Sequence, residues 1–283
     1  MGSGVDLLIV LGSKLSDFIT VGFPKDFKPN KVLHFDINYK YVNKSFKAPT
    51  VFVYGDIDTN LRSILRNIKD INKKNPGNFQ RADYSPPVKD GRGLYIADIA
   101  QSLSSHMNAD LNSLVVADEG SNGFTSMRYF SLNVPGTFIF DTDLACMGYA
   151  IGYSIGAKLG NPNLNVTCIT GDGCIFMLGT ELSTAVNENI PVIFVVINNK
   201  QLDMATKGME RSTGRTDGTI FKVPLDVSMF AKSMGAEAFI CDSIEKFDES
   251  YVIAKNLNKP VVIEVLADTA ESPPTESRNI KID

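Results

Sequence analysis

Residues Val166 to Asn199 read VTCITGDGCIFMLGTELSTAVNENIPVIFVVINN, and the order of apolar and polar residues in this stretch decides the fold. Val166–Thr170 is a short apolar run that ends at Gly171-Asp172-Gly173, and Val192–Ile197 is a second run that ends at Asn198-Asn199. Between them Leu178, Leu182, Ala185 and Val186 fall at helical spacing, which predicts a helix over Leu178–Asn187 with those residues on one face. Strand, helix, strand in that order predicts a parallel pair with a covering helix. Parallel pairing brings Asp172 and Asn199 to one sheet edge, although 199 − 172 = 27 positions separate them. Ligands of such sheets sit at the carboxyl ends of the strands. A carboxylate beside an amide oxygen offers hard oxygen ligands suited to Mg2+. The glycines let a bound group come close to the backbone, and amides opening a helix favour an anion. Taken alone, Gly-Asp-Gly is a turn and Asn-Asn a strand end. Joined by elements of these lengths, they read as a place for a metal and a diphosphate.

Working outward, the alternation continues. Leu114–Ala117, Thr137–Phe140, Ala238–Cys241 and Val261–Val265 are further strand runs, and Ile96–Met107 is an amphipathic helix. Upstream, Val5–Leu11, Val32–Phe35 and Val51–Tyr54 precede a helix that carries Leu61, Ile64, Leu65 and Ile68, with Asp58 or Thr59 as its cap. Residues 70–94 are rich in Lys, Asn and Pro and read as a linker. The expected organisation is α/β: a mainly parallel sheet flanked by helices over residues 95–283, preceded by a small partial α/β domain over residues 1–69. One helix has an oddity. Gly148, Gly152, Gly156 and Gly160 recur every four residues on one face. Each costs about 1 kcal/mol relative to Ala in a helix interior. Such a face suits the close approach of another backbone or of a cofactor.

Composition narrows the function. The 283 residues hold 28 Lys+Arg against 32 Asp+Glu, a formal charge of −4 that gives no basic surface for nucleic acid. With 43% apolar and 21% charged residues the chain is an ordinary globular one, long enough to bury a real core. No apolar run is long enough to span a bilayer, and the start lacks the basic region of a signal peptide. Cys146, Cys168, Cys174 and Cys241 form no CxxC pair, as expected of a reduced cytoplasmic chain. His34 and His106 lack partners at ligand spacing and read as solvent-facing or structural.

The arrangement GDGCIFMLGTELSTAVNENIPVIFVVINN resembles the thiamine-diphosphate signature of the acetohydroxyacid (acetolactate) synthase and 2-oxoacid decarboxylase superfamily. ADEGSNGF at 117–124 resembles the family's loop against the diphosphate, and DLACMGYAIGYSIGAKLG from Asp143 its segment around the thiazolium and aminopyrimidine. VDLLIVLGSKLSD, VLHFDINYKYVNK and VFVYGDIDTNLRSIL resemble the later half of its central domain. The resemblance implies Mg2+ ligation by Asp172, Asn199 and the carbonyl of Gln201. It implies cofactor contacts from Gly120, Ser121, Asn122, Gly171, Gly173 and Cys174, with the backbone near Ala145 facing the pyrimidine amine. Met147 stands where a bulky residue props the cofactor, and Met204 and Ala205 face cofactor and substrate.

Two departures matter. Family members are much longer, and an N-terminal pyrimidine-binding domain carries the glutamate that activates the cofactor. No residue here matches that glutamate. The resemblance therefore implies either one subunit of a split enzyme, with a pyrimidine-binding partner, or a C-terminal fragment. After Asn199 the run Lys200-Gln201-Leu202-Asp203-Met204-Ala205 puts Asp203 where the synthases usually have glycine. Decarboxylases of the pyruvate type place a glutamate six positions after the asparagine, where this chain has Ala205. Alanine has no proton to give, so the expected activity is decarboxylation of a pyruvate-like 2-oxo acid with carboligation. The alternatives are aldehyde-releasing decarboxylation and a non-catalytic cofactor-binding paralogue.

Overall fold

In a computed structural model that describes residues 5–16, 19–20, 27–45, 47–68 and 93–271, the chain forms two units. The first contains β1 (Leu7–Leu11), β2 (Lys31–Asp36) and β3 (Thr50–Tyr54), paired in parallel in that order, and the helix α1 (Ile57–Asn67). The cap of α1 is neither Asp58 nor Thr59. Asp56 takes the position, its carboxylate accepting the Thr59 N–H at 2.8 Å. The chain leaves β3 through Gly55, and the first side chain able to bond the free amides starts the helix. The expected linker lies almost wholly outside the described residues. Its last two residues belong to the second unit, where Leu94 bridges to Ala267 and the Gly93 N–H donates to Asp268 at 3.0 Å.

The second unit is built on α2 (Ile96–Asn108), β4 (Ser113–Ala117), α3 (Ser121–Tyr129), β5 (Phe138–Phe140), α4 (Tyr149–Gly160), β6 (Asn165–Gly171), α5 (Asp172–Leu178), α6 (Leu182–Asn187), β7 (Val192–Asn198), α7 (Asp203–Thr213), α8 (Val227–Ser233), β8 (Glu237–Cys241), α9 (Ile244–Asn256) and β9 (Val261–Leu266). Six strands form one all-parallel sheet in the order β5-β4-β6-β7-β9-β8. Every residue of β7 is buried, as its continuous apolar run requires of a strand covered on both faces. Val192, Phe194 and Val196 pack with Ile151 and Ile155 of α4 and Val227 of α8. Ile193, Val195 and Ile197 pack on the other face with Ile99 and Leu103 of α2 and Phe247 and Tyr251 of α9. Each such side chain stabilises the fold by about 1.5–3 kcal/mol.

The structure corrects the expected helix over Leu178–Asn187. The helical residues begin at Asp172, and a single tight turn at Gly179–Glu181 separates α5 from α6. Leu182 and Ala185 face the core, whereas Leu178 is exposed on the other piece. A side chain on Gly179 would stand 2.9 Å from both Ile175 and Phe230, so the chain bends where only glycine fits. The glycine series also divides. Gly148 precedes α4 with a left-handed backbone, while Gly152, Gly156 and Gly160 face open space.

Glu264 of β9 secures the end of β7. Its buried carboxylate accepts the Asn198 side-chain amide at 2.6 Å and the Ser228 N–H at 2.9 Å. Glu264→Ala leaves the Ser228 N–H without its acceptor and the Asn198 amide with only the Leu225 carbonyl, and is expected to lower unfolding stability by about 2–4 kcal/mol, with Glu264→Gln losing roughly half of that. Urea denaturation checks this, and a loss under about 1 kcal/mol for the alanine variant would show that water satisfies both donors.

Candidate active site

Three strand ends wall one cavity of about 90 Å³. β4 leads to Glu119, Gly120, Ser121 and Asn122; β6 to Asp172, Gly173 and Cys174; β7 to Asn199, Gln201 and the start of α7. β5 lies on one side of β4 and β6 on the other, so the chain reverses direction across the sheet beside β4. Open α/β sheets bind ligands at such a crevice. Every residue that the resemblance assigns to cofactor, metal or substrate lines this cavity except Ala145. Ala145 lies outside the lining, in a left-handed backbone conformation (φ 55°) that a non-glycine residue adopts only under strain.

The register of the central pair sets the spacing. Gly171 of β6 pairs with Ile197 of β7, so the next residues of each strand leave the sheet together. The Asp172 carboxylate accepts the Gly173 N–H at 2.8 Å and the Lys200 N–H at 2.7 Å. Burial raises its pKa to about 6 against those bonds and against the nearby amides of Gln201 and Asn199. Lys200 adopts a left-handed conformation (φ 64°), which turns the three amides after Asn198 toward the carboxylate. The short antiparallel bridge between Gln201 and Ile220 employs the Lys200 carbonyl and the Leu202 N–H. It leaves the Gln201 carbonyl out of the bridge.

This donor set fits a hard divalent cation. A buried carboxylate forms no ion pair among the described residues, and Asn199 and Gln201, which offer an amide oxygen and a backbone carbonyl, line the same cavity. Among the described residues no cluster of three or more His, Cys, Asp or Glu is present to hold a metal without help. A cation here therefore depends on an anionic ligand to complete its shell, as Mg2+ does with phosphates. The glycines fit the same role. Gly120 caps α3 at φ 114°, a conformation closed to other residues without strain, and Ser121 and Asn122, which open the helix, line the cavity. A side chain on Gly173 would collide with Leu202 at 2.5 Å. The Gly173 N–H is engaged with Asp172 in this structure, so it reaches a phosphate only if that bond is exchanged. Cys174 is no nucleophile: burial pushes its thiol up to about 12.

One buried residue escaped the sequence reading. Asp118, at the end of β4, is fully buried and accepts bonds from Thr170 Oγ1 (2.7 Å), the Gly148 N–H (2.8 Å) and the Glu119 N–H (3.0 Å). Burial raises its pKa, and the donors offset part of that. It ties the β4 loop to β6 and to the residue after Met147. The signal was an acidic residue directly after a wholly apolar strand. Asp203 is likewise buried, bonded by Ser121, Gln201 and Lys207.

Residues 118–265 match the family described as "Thiamine pyrophosphate enzyme, C-terminal TPP binding domain". The chain is 26% identical to a "Probable acetolactate synthase large subunit" of Methanococcus aeolicus, over 94% of its own length and 48% of the relative's. It is 27% identical to a "3D-(3,5/4)-trihydroxycyclohexane-1,2-dione hydrolase" of Bacillus licheniformis, over 93% of this chain and 47% of the relative. The chain thus spans about half the length of the curated relatives it matches. Its fold superposes on the Rhodococcus jostii RHA1 thiamine diphosphate-dependent 4-hydroxybenzoylformate decarboxylase with a TM-score of 0.77 at 21% identity, covering 95% of this chain and 50% of that one. With the family model spanning more than half of its residues and the strand ends arranged as above, the chain belongs to the thiamine pyrophosphate enzymes and carries their C-terminal cofactor-binding domain.

Proposed function

We propose that the cavity holds thiamine diphosphate through Mg2+ and that the assembled enzyme decarboxylates a pyruvate-like 2-oxo acid and ligates the product to a second carbonyl, as an acetolactate synthase does. The observation that carries this is the buried Asp172 carboxylate, surrounded by amides and forming no ion pair among the described residues, at the mouth of a glycine-walled cavity. Asp172, Asn199 and the Gln201 carbonyl would hold the metal. Gly120, Ser121, Asn122, Gly171, Gly173 and Cys174 would hold the diphosphate, with Met147 and Ala145 beside the rings. When bound, the cofactor supplies a carbon nucleophile and an electron sink for loss of carbon dioxide. This chain's residues orient it and keep water out. Met204 and Ala205 give the cavity wall an apolar patch without a proton donor, which favours ligation over aldehyde release.

The activating glutamate has no counterpart here, so the reading includes a partner that carries the pyrimidine-binding domain. The open glycine face of α4, flanked by exposed Tyr153 and Leu159, supports docking there. Residues 1–69 would form part of the central domain and 95–283 the cofactor domain. No helix among the described residues is long and apolar enough to cross a membrane, and the cysteines described are free; a cytoplasmic location is proposed.

Calorimetric titration with thiamine diphosphate tests the site. Binding is expected in Mg2+ and not in EDTA, and Asp172→Ala should weaken it by ~100-fold or more, since even an outer-shell partner is worth 10–100-fold. Equal heats in both buffers would remove the metal from the reading.

The chain alone is expected to turn over pyruvate negligibly, and the assembled enzyme to give mostly an acetolactate-type product. Full turnover by the single chain, shown by mass spectrometry to be free of other polypeptides, would overturn the partner requirement. Mostly acetaldehyde from the assembled enzyme would overturn the ligation reading.

A further inference from the structure

Asp203 opens α7 at the cavity wall with its side chain only 5% exposed. Its Oδ1 accepts from the Gln201 amide at 2.6 Å and from Lys207 Nζ at 2.7 Å, and its Oδ2 accepts the Ser121 hydroxyl. Lys207, one turn further along α7, also donates to the backbone carbonyl of Glu271. Glu271 is itself buried, and its carboxylate accepts the N–H groups of Ile96 and Ala97 at the start of α2. The stretch 267–271 after β9 is fastened to the same place, because Leu94 bridges to Ala267 and the Asp268 N–H donates to the Leu94 carbonyl at 2.8 Å. Hydrogen bonds, joined through the backbone and side chain of Glu271, therefore connect Ser121 in the cavity wall to the first amides of α2.

Charge explains why Lys207 is there. A carboxylate behind Ser121 and Gln201 repels an anion held on their side of the wall. A lysine four positions on, on the same helix face, neutralises it. Neutralisation alone does not call for the Glu271 carbonyl, yet Lys207 spends a further N–H on it.

We propose that Asp203 and Lys207 are positioning residues forming a latch, which couples docking of the stretch 267–271 on α2 to occupancy of the cavity. This inference rests on the reading of the cavity as a diphosphate and metal site. Such coupling is reciprocal: cofactor that is held better when the stretch is docked must hold the stretch in place when bound.

Hydrogen–deuterium exchange on the full chain at Ile96 and Ala97, with and without thiamine diphosphate and Mg2+, tests it. In the wild type, saturation is expected to slow exchange about tenfold, an ordinary coupling magnitude. Lys207→Met should speed exchange in the free chain and abolish the response, and Lys207→Arg should restore both. The pair Asp203→Asn with Lys207→Met leaves no lone buried charge, so it keeps the fold while losing the response. A wild-type response in the pair variant overturns the latch. Cofactor binding to the wild type with no change at Ile96 and Ala97 overturns the coupling alone. Absence of any binding by calorimetry overturns the cavity reading and the coupling with it.

Discussion

The site depends on the parallel pairing of β6 with β7. Two strands side by side, with Gly171 opposite Ile197, leave the sheet at the same level and deliver Asp172 and Asn199 to one crevice. The apolar content of β7 fixes that pairing, because all of its residues are buried between two helical layers. A slip by one residue would exchange the faces of Phe194 and Val195 and empty both halves of the core. Core packing and cofactor geometry are thus one constraint. The energy that holds the register is hydrophobic, and the groups that use the register are polar.

Asp118, Asp172 and Asp203 are buried carboxylates around the cavity, and each is satisfied differently. Asp118 is met by a hydroxyl and two amides, and it anchors neighbouring loops to one another. Asp172 is met by backbone amides alone. Asp203 is met by a lysine and serves as the crossing point between the cavity wall and the end of the sheet. A carboxylate removed from water needs donors or counter-charge, and the kind of donor supplied indicates the use made of each.

The sheet was legible because its strands are short runs rich in β-branched residues: Val166–Thr170 and Val192–Ile197 lie inside the observed strands. The residues that line the cavity were legible because Gly171-Asp172-Gly173 and Asn198-Asn199 each follow an apolar strand run. The break at Gly179 was not, since a leucine at helical spacing does not reveal that the helix turns before reaching it. The cap of α1 was missed by two residues for a similar reason, as several polar side chains compete and geometry chooses among them. Asp118 and the Lys207–Glu271 contact were hidden more deeply. The Lys207–Glu271 contact joins residues remote in sequence, so no local pattern marks it, and Asp118 showed only as an acidic residue directly after an apolar strand.

The register also says where this chain tolerates change in length. The crossing from β6 to β7 already contains two helices, a tight turn and a loop, none of which touches the pairing of Gly171 with Ile197. An added or lost residue there can be absorbed as a longer or shorter turn. The same change inside either strand reverses every side chain beyond it and carries Asp172 or Asn199 out of the crevice. By this geometry the interval between the two motifs is elastic in its loops and rigid at its ends. The spacing of the signature is a measure of the connecting loops, while its two ends are set by the strands.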